Sequence, residues 1–198
     1  MNRRRIILTA MASALAAVSV TACGDRQSTD AAAAAPAPAK TSPREAYELA
    51  AQASGFTVGP MMAANTVYVF FDATCPHCAA LWASSKPLLS KLKMVWIPIG
   101  LLQRSSAPQG ATILSAPDPT AAMAENEASV LERKGGITVS RSLGDDVLAK
   151  VKANTDLFTK LGADSVPFIV YKNAKTGEYG SVTGSVDTGQ LAAMAGLS

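Results

Sequence analysis

Two residue types are scarce in this chain of 198 residues, and both scarcities narrow what it can be. There is one histidine, His77, and there are three cysteines, Cys23, Cys75 and Cys78. Tetrahedral zinc built on the close Cys75/Cys78 pair needs two further Cys or His ligands. The one histidine lies between those two cysteines, so a structural zinc site is not expected. An excess of one charge is missing too. Without Arg3, Arg4 and Arg5 at the start of the chain, basic and acidic residues balance. Nothing electrostatic then favours nucleic acid or an anionic surface as partner. Long apolar runs are also absent. The run over residues 6–20 falls short of the about 20 residues that span a bilayer.

That run, behind the basic Asn-Arg-Arg-Arg start, reads as a secretory signal peptide over residues 1–22. It ends in Val20-Thr21-Ala22-Cys23. A branched apolar residue, two small residues and a cysteine resemble a bacterial lipobox, in which cleavage precedes the cysteine and its thiol is acylated. Cys23 is therefore expected as the lipid-attachment site and membrane anchor. Ordinary cleavage near Ala22, with Cys23 an incidental thiol, is the plainer alternative. Either route leads out of the cytoplasm, where disulfides form and persist, and the periplasm is the expected compartment. Residues 23–42 carry an Ala tract and alternating Ala-Pro, with no large apolar side chain to bury. They read as a disordered tether. Residues 43–198 have the length of one domain with a sizeable core.

Within that domain, Ser42 and Pro43 read as the cap and first residue of a helix ended by Gly55. Residues 56–62 read as a short edge strand or loop. Val67 to Phe71 form a continuous apolar, β-favouring run, as in a strand buried on both faces. A helix is expected from Cys75 or Pro76 to about Leu92, kinked by Pro87. A strand follows over residues 94–101, then helices over 108–115, 119–134 (capped by Asp118) and 145–161. The last carries Val147, Val151, Phe158 and Leu161 on one stripe. Residues 166–172 and 179–183 read as a hairpin, and 187–197 as a closing helix.

The chemistry sits in Cys75-Pro76-His77-Cys78, at the joint between the buried strand and a helix. Disulfide exchange needs an accessible, nucleophilic thiolate that is also a good leaving group. An ordinary thiol, with a pKa near about 8.5, is mostly protonated at neutral pH. Free N–H groups and the dipole at a helix N-terminus favour the anion. Cys75 is therefore expected to attack substrates. Cys78, one turn down and more buried, is expected to resolve the mixed disulfide. His77 can donate to the Cys75 thiolate or place charge beside it, and Pro76 stiffens the first turn. A copper(I) site on the same thiols, with Met61 or Met62 as soft third ligand, is the alternative from another class; both methionines are otherwise expected to pack in the core. Asp72 is either a proton relay or a turn and cap residue, the second being the plainer reading.

The order strand, CxxC helix, strand, helices, Val-Pro strand, strand, helix is that of a thioredoxin fold, an α/β architecture. Here it carries a helical insertion before the Val-Pro strand. FFDATCPHCAALW, LGADSVPFIVYKN and GSVDTGQLAAMAG resemble the catalytic domain of the DsbC/DsbG family of periplasmic thiol–disulfide interchange proteins. The resemblance covers residues 66–198. It implies a cis Val166–Pro167 bond, and a substrate-binding role for Val166 and Pro167 through the exposed backbone before the proline. It implies Cys75 as nucleophile, Cys78 as resolving thiol, and Pro76 and His77 as the dipeptide that tunes the potential. It further implies protein thiols or disulfides as substrates, a separate redox partner protein, and no cofactor. Two departures stand out. The family's dimeric members carry an N-terminal dimerisation domain, for which residues 42–64 are too short, so a monomer is expected. Pro-His between the cysteines and Val166 before the proline resemble the DsbA-type oxidases rather than the family's own usual choices, and the acid that DsbA-like and thioredoxin-like proteins place six residues before the first cysteine is replaced by Val69.

Overall fold

The computed structural model describes residues 41–63 and 66–197. The expected signal peptide, Cys23 and nearly all of the expected tether lie outside the described residues.

Five strands form one sheet in the order β1-β3-β2-β4-β5. They are β1 (Phe56–Val58), β2 (Thr66–Asp72), β3 (Lys93–Ile99), β4 (Phe168–Lys172) and β5 (Tyr179–Thr183). β2 and β3 run parallel, with Val69 opposite Trp96. The other neighbours run antiparallel. Around the sheet lie α1 (Pro43–Ala50), α2 (Pro76–Ser85), α3 (Ser106–Ser115), α4 (Pro119–Leu131), α5 (Asp145–Lys160) and α6 (Thr188–Ala195). α3, α4 and α5 form the insertion between β3 and β4.

β2 is central because both of its faces are covered. Alternate residues of a strand point to opposite faces. On one face Phe71 meets Trp96 edge-on at 5.7 Å, and Trp96 meets Trp82 of α2 at 5.3 Å. On the other, Phe70 packs against Phe158 of α5 and Phe168 of β4, each at 6.1 Å. Tyr68 meets Tyr47 of α1 at 5.0 Å. The stripe expected on α5 is buried at Val147, Val151 and Phe158, and Leu161 just beyond it is buried as well. Asn154 shares it, and its amide ties Ser54 and Pro98 to the helix. It donates to both carbonyls at 2.8 and 3.0 Å and accepts from Ser54 N at 3.0 Å.

Helix ends follow their caps. Ser42 accepts from Glu45 N at 3.3 Å, and Asp118 from Ala121 N at 3.0 Å. Asp187 and Gln190 form a reciprocal capping box. Three expectations are corrected. α1 stops at Ala50, with Ala51 as its C-cap, rather than continuing to Gly55. α2 stops at Ser85 instead of running kinked to Leu92. Pro87 has no N–H and collides with the carbonyl four residues back, so the chain tightens into a 3₁₀ turn over Lys86–Leu88. Met61 and Met62 do not pack in the core; they are 66% and 95% exposed, because β1 ends at Val58 and the chain turns outward past Gly59.

Candidate active site

The parallel β2–β3 pair ends at Asp72 and Ile99, and the site is built on those ends. Asp72 is fully buried. One of its carboxylate oxygens accepts from Thr74 N at 2.9 Å and Thr74 Oγ1 at 2.8 Å. The other accepts from Leu101 N at 2.8 Å and Leu102 N at 2.9 Å. Asp72 is thus the turn residue of the two readings, and it also joins the ends of both strands. Its backbone carbonyl accepts from Cys75 N at 3.0 Å.

That turn sets Cys75 as the N-cap of α2, with Pro76 as the first helical residue. The Cys75 carbonyl accepts from Cys78 N and Ala79 N, at 3.1 and 3.2 Å. Cys75 is only 3% exposed, and Cys78 is wholly buried. The first cysteine is therefore better shielded than the exposed nucleophile expected from the sequence. Both are unbonded thiols. Pro76 and His77 are exposed.

The Cys75 pKa is lowered to about 6. The largest cause is a hydrogen bond from the Cys78 side chain. Burial opposes it; the backbone N–H groups of Cys78 and His77, and charge on His77, add to it. Cys78 is pushed well above the usual thiol range, first by burial and then by the Cys75 thiolate beside it. The pair is asymmetric: one thiol ionised at neutral pH, the other protonated.

The Val166–Pro167 peptide is cis. It brings the Val166 carbonyl to 3.6 Å from Cys75 Sγ, where it accepts from Cys75 in the protonated, thiol form. Residues 91 positions apart in sequence thus share one site.

One residue escaped the sequence reading. Glu127 of α4 is 1% exposed. Its Oε1 accepts a long 3.4 Å hydrogen bond from Asn126 Nδ2, and its Oε2 has no partner. Burial first, then charge on Cys75 and Asp72, push its pKa up to about 8. Its neighbour Asn126 donates to Ala73 O at 2.9 Å and accepts from Ile137 N at 2.8 Å, clamping α4 to the Cys75 turn. Gly136 lets the clamp close. Its φ is +89°, and a Cβ there would sit 2.8 Å from Asn126 Oδ1 and 3.0 Å from Gln109 Nε2. Helical spacing from Met123 and Val130 sets Glu127 on the buried face of α4, and the neighbouring Glu125 faces solvent. The packing of α4 on α2 is what relates that face to the cysteines.

No protein-family model matches the chain, and no curated protein sequence matches it. Solved structures do. The catalytic domain of ScsC from Proteus mirabilis covers 77% of this chain and 93% of its own, at 20% identity and a TM-score of 0.57. The chain has a thioredoxin fold. The thiol–disulfide exchange protein alpha-DsbA2 from Wolbachia pipientis gives 16% identity, 77% and 91% coverage, and a TM-score of 0.58. A disulfide interchange protein from Neisseria gonorrhoeae gives 18%, 72% and 93%, and 0.56. In this thioredoxin fold the inserted helices α3 and α4 stand over the cysteine turn, and the cis proline closes it from the β4 side. Among the described residues no helix is long and apolar enough to cross a membrane.

Proposed function

We propose that the chain is an exported thiol–disulfide interchange enzyme acting on proteins, with Cys75 as nucleophile and Cys78 as resolving thiol. The observation that carries this is the asymmetric pair: a thiol with a pKa of about 6 at the N-terminus of α2, beside a buried one held protonated. Such a pair attacks a disulfide through one sulfur and releases it through the other. Pro76 and His77 complete the first turn of α2 and tune the thiolate. Val166 and Pro167 present a carbonyl beside the attacking sulfur, where an extended substrate segment pairs with backbone. Two of the three named structural neighbours are a thiol–disulfide exchange protein and a disulfide interchange protein, which supports the reading. Assignment to the DsbC/DsbG-like branch rests on the flanking sequence alone. Export rests on the signal-like start, and anchoring in the periplasm on Cys23.

The thiolate bears on the direction. Stabilising it stabilises the reduced form, so the disulfide becomes more oxidising. A pKa of about 6 lies between the about 7 of thioredoxin and the about 3.5 of DsbA. The potential is expected between their values of about −270 and about −120 mV. Equilibration with glutathione buffers measures it. Replacing Cys78 by Ser, which keeps a donor to Cys75, is expected to trap exported proteins as mixed disulfides on Cys75. Stoichiometric copper(I) binding with no trapped proteins would overturn the enzyme reading in favour of a copper protein. Acyl labelling of the chain, lost on Cys23→Ser, tests the anchor.

A further inference from the structure

We propose that Glu127, supplied by the inserted helix α4, is the proton acceptor for Cys78 when that thiol resolves the mixed disulfide. The proposal deepens the interchange reading and rests on it. A buried carboxyl with one oxygen unpaired is costly to keep. Packing alone does not account for it, since a glutamine or leucine would fill the volume without the charge. α4 packs directly on α2, which carries Cys78, and the charge of Glu127 bears on Cys78. The titratable groups whose charge couples to Glu127 are Cys75 and Cys78 from α2 and Asp72 from β2. α3 and β1, also near α4, carry no titratable side chain. Asp72 has its four hydrogen bonds filled by Thr74, Leu101 and Leu102. Val69 fills the β2 position six residues before Cys75. Glu127 Oε2 is therefore the one unpaired carboxylate oxygen in the described site.

The step balances as follows. Cys78 gives its thiol proton to Glu127 Oε2, directly or through one water. The Cys78 sulfur attacks Cys75 Sγ, and the Cys75–Cys78 bond forms. The bond from Cys75 to the substrate sulfur breaks, and its electron pair leaves with the substrate as thiolate. The enzyme dithiol is thereby oxidised by two electrons, and the substrate disulfide is reduced. In the reverse direction protonated Glu127 returns its proton to Cys78 as that sulfur departs.

The charge on Cys75 times the transfer. While Cys75 is a free thiolate, its charge helps hold the proton on Glu127. Once Cys75 enters a mixed disulfide that charge is gone, and Glu127 ionises more readily, at the moment when Cys78 needs an acceptor.

The test uses 5,5′-dithiobis(2-nitrobenzoate), which needs no physiological substrate. With Cys23→Ser in every chain compared, the first thionitrobenzoate released reports attack by Cys75; the second reports resolution by Cys78, and is absent in Cys78→Ser. Glu127→Gln is expected to leave the first release unchanged and to slow the second at least about 100-fold at pH 7, the low end for general acid–base catalysis. In the parent the second rate should rise with pH to a midpoint below about 8. In Glu127→Gln it should keep rising past pH 9.0, as unassisted Cys78 ionises. Glu127→Asp should restore a midpoint. An unchanged second rate and pH profile in Glu127→Gln would overturn the proposal. So would a carboxyl that titrates in the ordinary glutamate range, by carbon NMR of the reduced parent, a measurement that needs no variant. Failure to trap proteins in cells would strike the interchange reading instead and leave this result standing.

Discussion

Removing the thiol of Cys78 should move the pKa of Cys75, and the kind of replacement should decide how far. The leading cause of the low Cys75 pKa is the hydrogen bond from the Cys78 side chain. A hydrogen bond to a charged acceptor contributes about 1.5–3 kcal/mol. At 1.36 kcal/mol per pK unit, its loss is equivalent to about one to two units. Cys78→Ala should thus raise the midpoint from about 6 to between about 7 and about 8. It should stop short of the about 8.5 of a free thiol, because the N–H groups of His77 and Cys78 stay in place. Cys78→Ser keeps a donor at the same position and should leave the midpoint near about 6. The fraction ionised at pH 7 would then fall from about nine-tenths to between about one-half and one-tenth in the Ala variant alone. Alkylation of Cys75 by iodoacetamide as a function of pH, read on the Cys75 peptide by mass spectrometry, measures this without interference from Cys23. Coincident midpoints for the Ala and Ser variants would refute the assignment of the shift to Cys78. A parent that titrates near 8.5 would refute the low pKa itself.

His77→Ser should raise the Cys75 midpoint by less than Cys78→Ala does, since charge on His77 is the smallest of its causes; the same alkylation profile reads it, and an effect exceeding that of Cys78→Ala would reverse the ranking. Asn154→Ala strands the carbonyls of Ser54 and Pro98 and the N–H of Ser54. It should cost about 3 kcal/mol in urea unfolding, and a loss below about 1 kcal/mol would mean that water replaces the amide. Two groups should tilt stability with pH in opposite senses. Glu127 is raised from 4.5 to about 8, so its contribution is full below 4.5 and is lost as pH rises through about 8. Cys75 is lowered from 9.0 to about 6, so its contribution in the reduced protein is present above 9.0 and is lost as pH falls through about 6. Unfolding of reduced Glu127→Gln between pH 5 and 8 should show less loss with rising pH than the parent; parallel curves would remove Glu127 from the balance.

The strand–turn–helix joint at Cys75 was legible because each part has a local cause: an apolar run, a turn residue at Asp72, a proline at the first helical position. The caps at Ser42 and Asp118 were legible for the same reason. Pro87 was recognised as disruptive, but the sequence does not say whether a helix bends or stops, and here the following chain takes the tighter turn. Met61 and Met62 were misplaced because apolar character alone does not reveal that β1 is only three residues long. Glu127 and Asn126 were missed for a deeper reason. Nothing within a few residues of them refers to Cys75. Their meaning comes from the docking of α4 on α2, a long-range contact with no local signature. The approach of Val166 to Cys75 is equally long-range, and was anticipated only through the family resemblance.

The Asn126 amide that grips the Ala73 carbonyl has a consequence for how this protein can be altered. It makes the insertion part of the aiming mechanism of the cysteine turn rather than a detachable ornament on a thioredoxin core. Ser106 of α3 adds a second tie, 3.3 Å from Thr74 Oγ1. A shortened chain joining β3 directly to α5 would retain every cysteine and the cis proline. It would lose the two struts that hold residues 73 and 74 in register. A graft of another insertion onto this core would have to bring its own donor to the Ala73 carbonyl to keep Cys75 facing Val166.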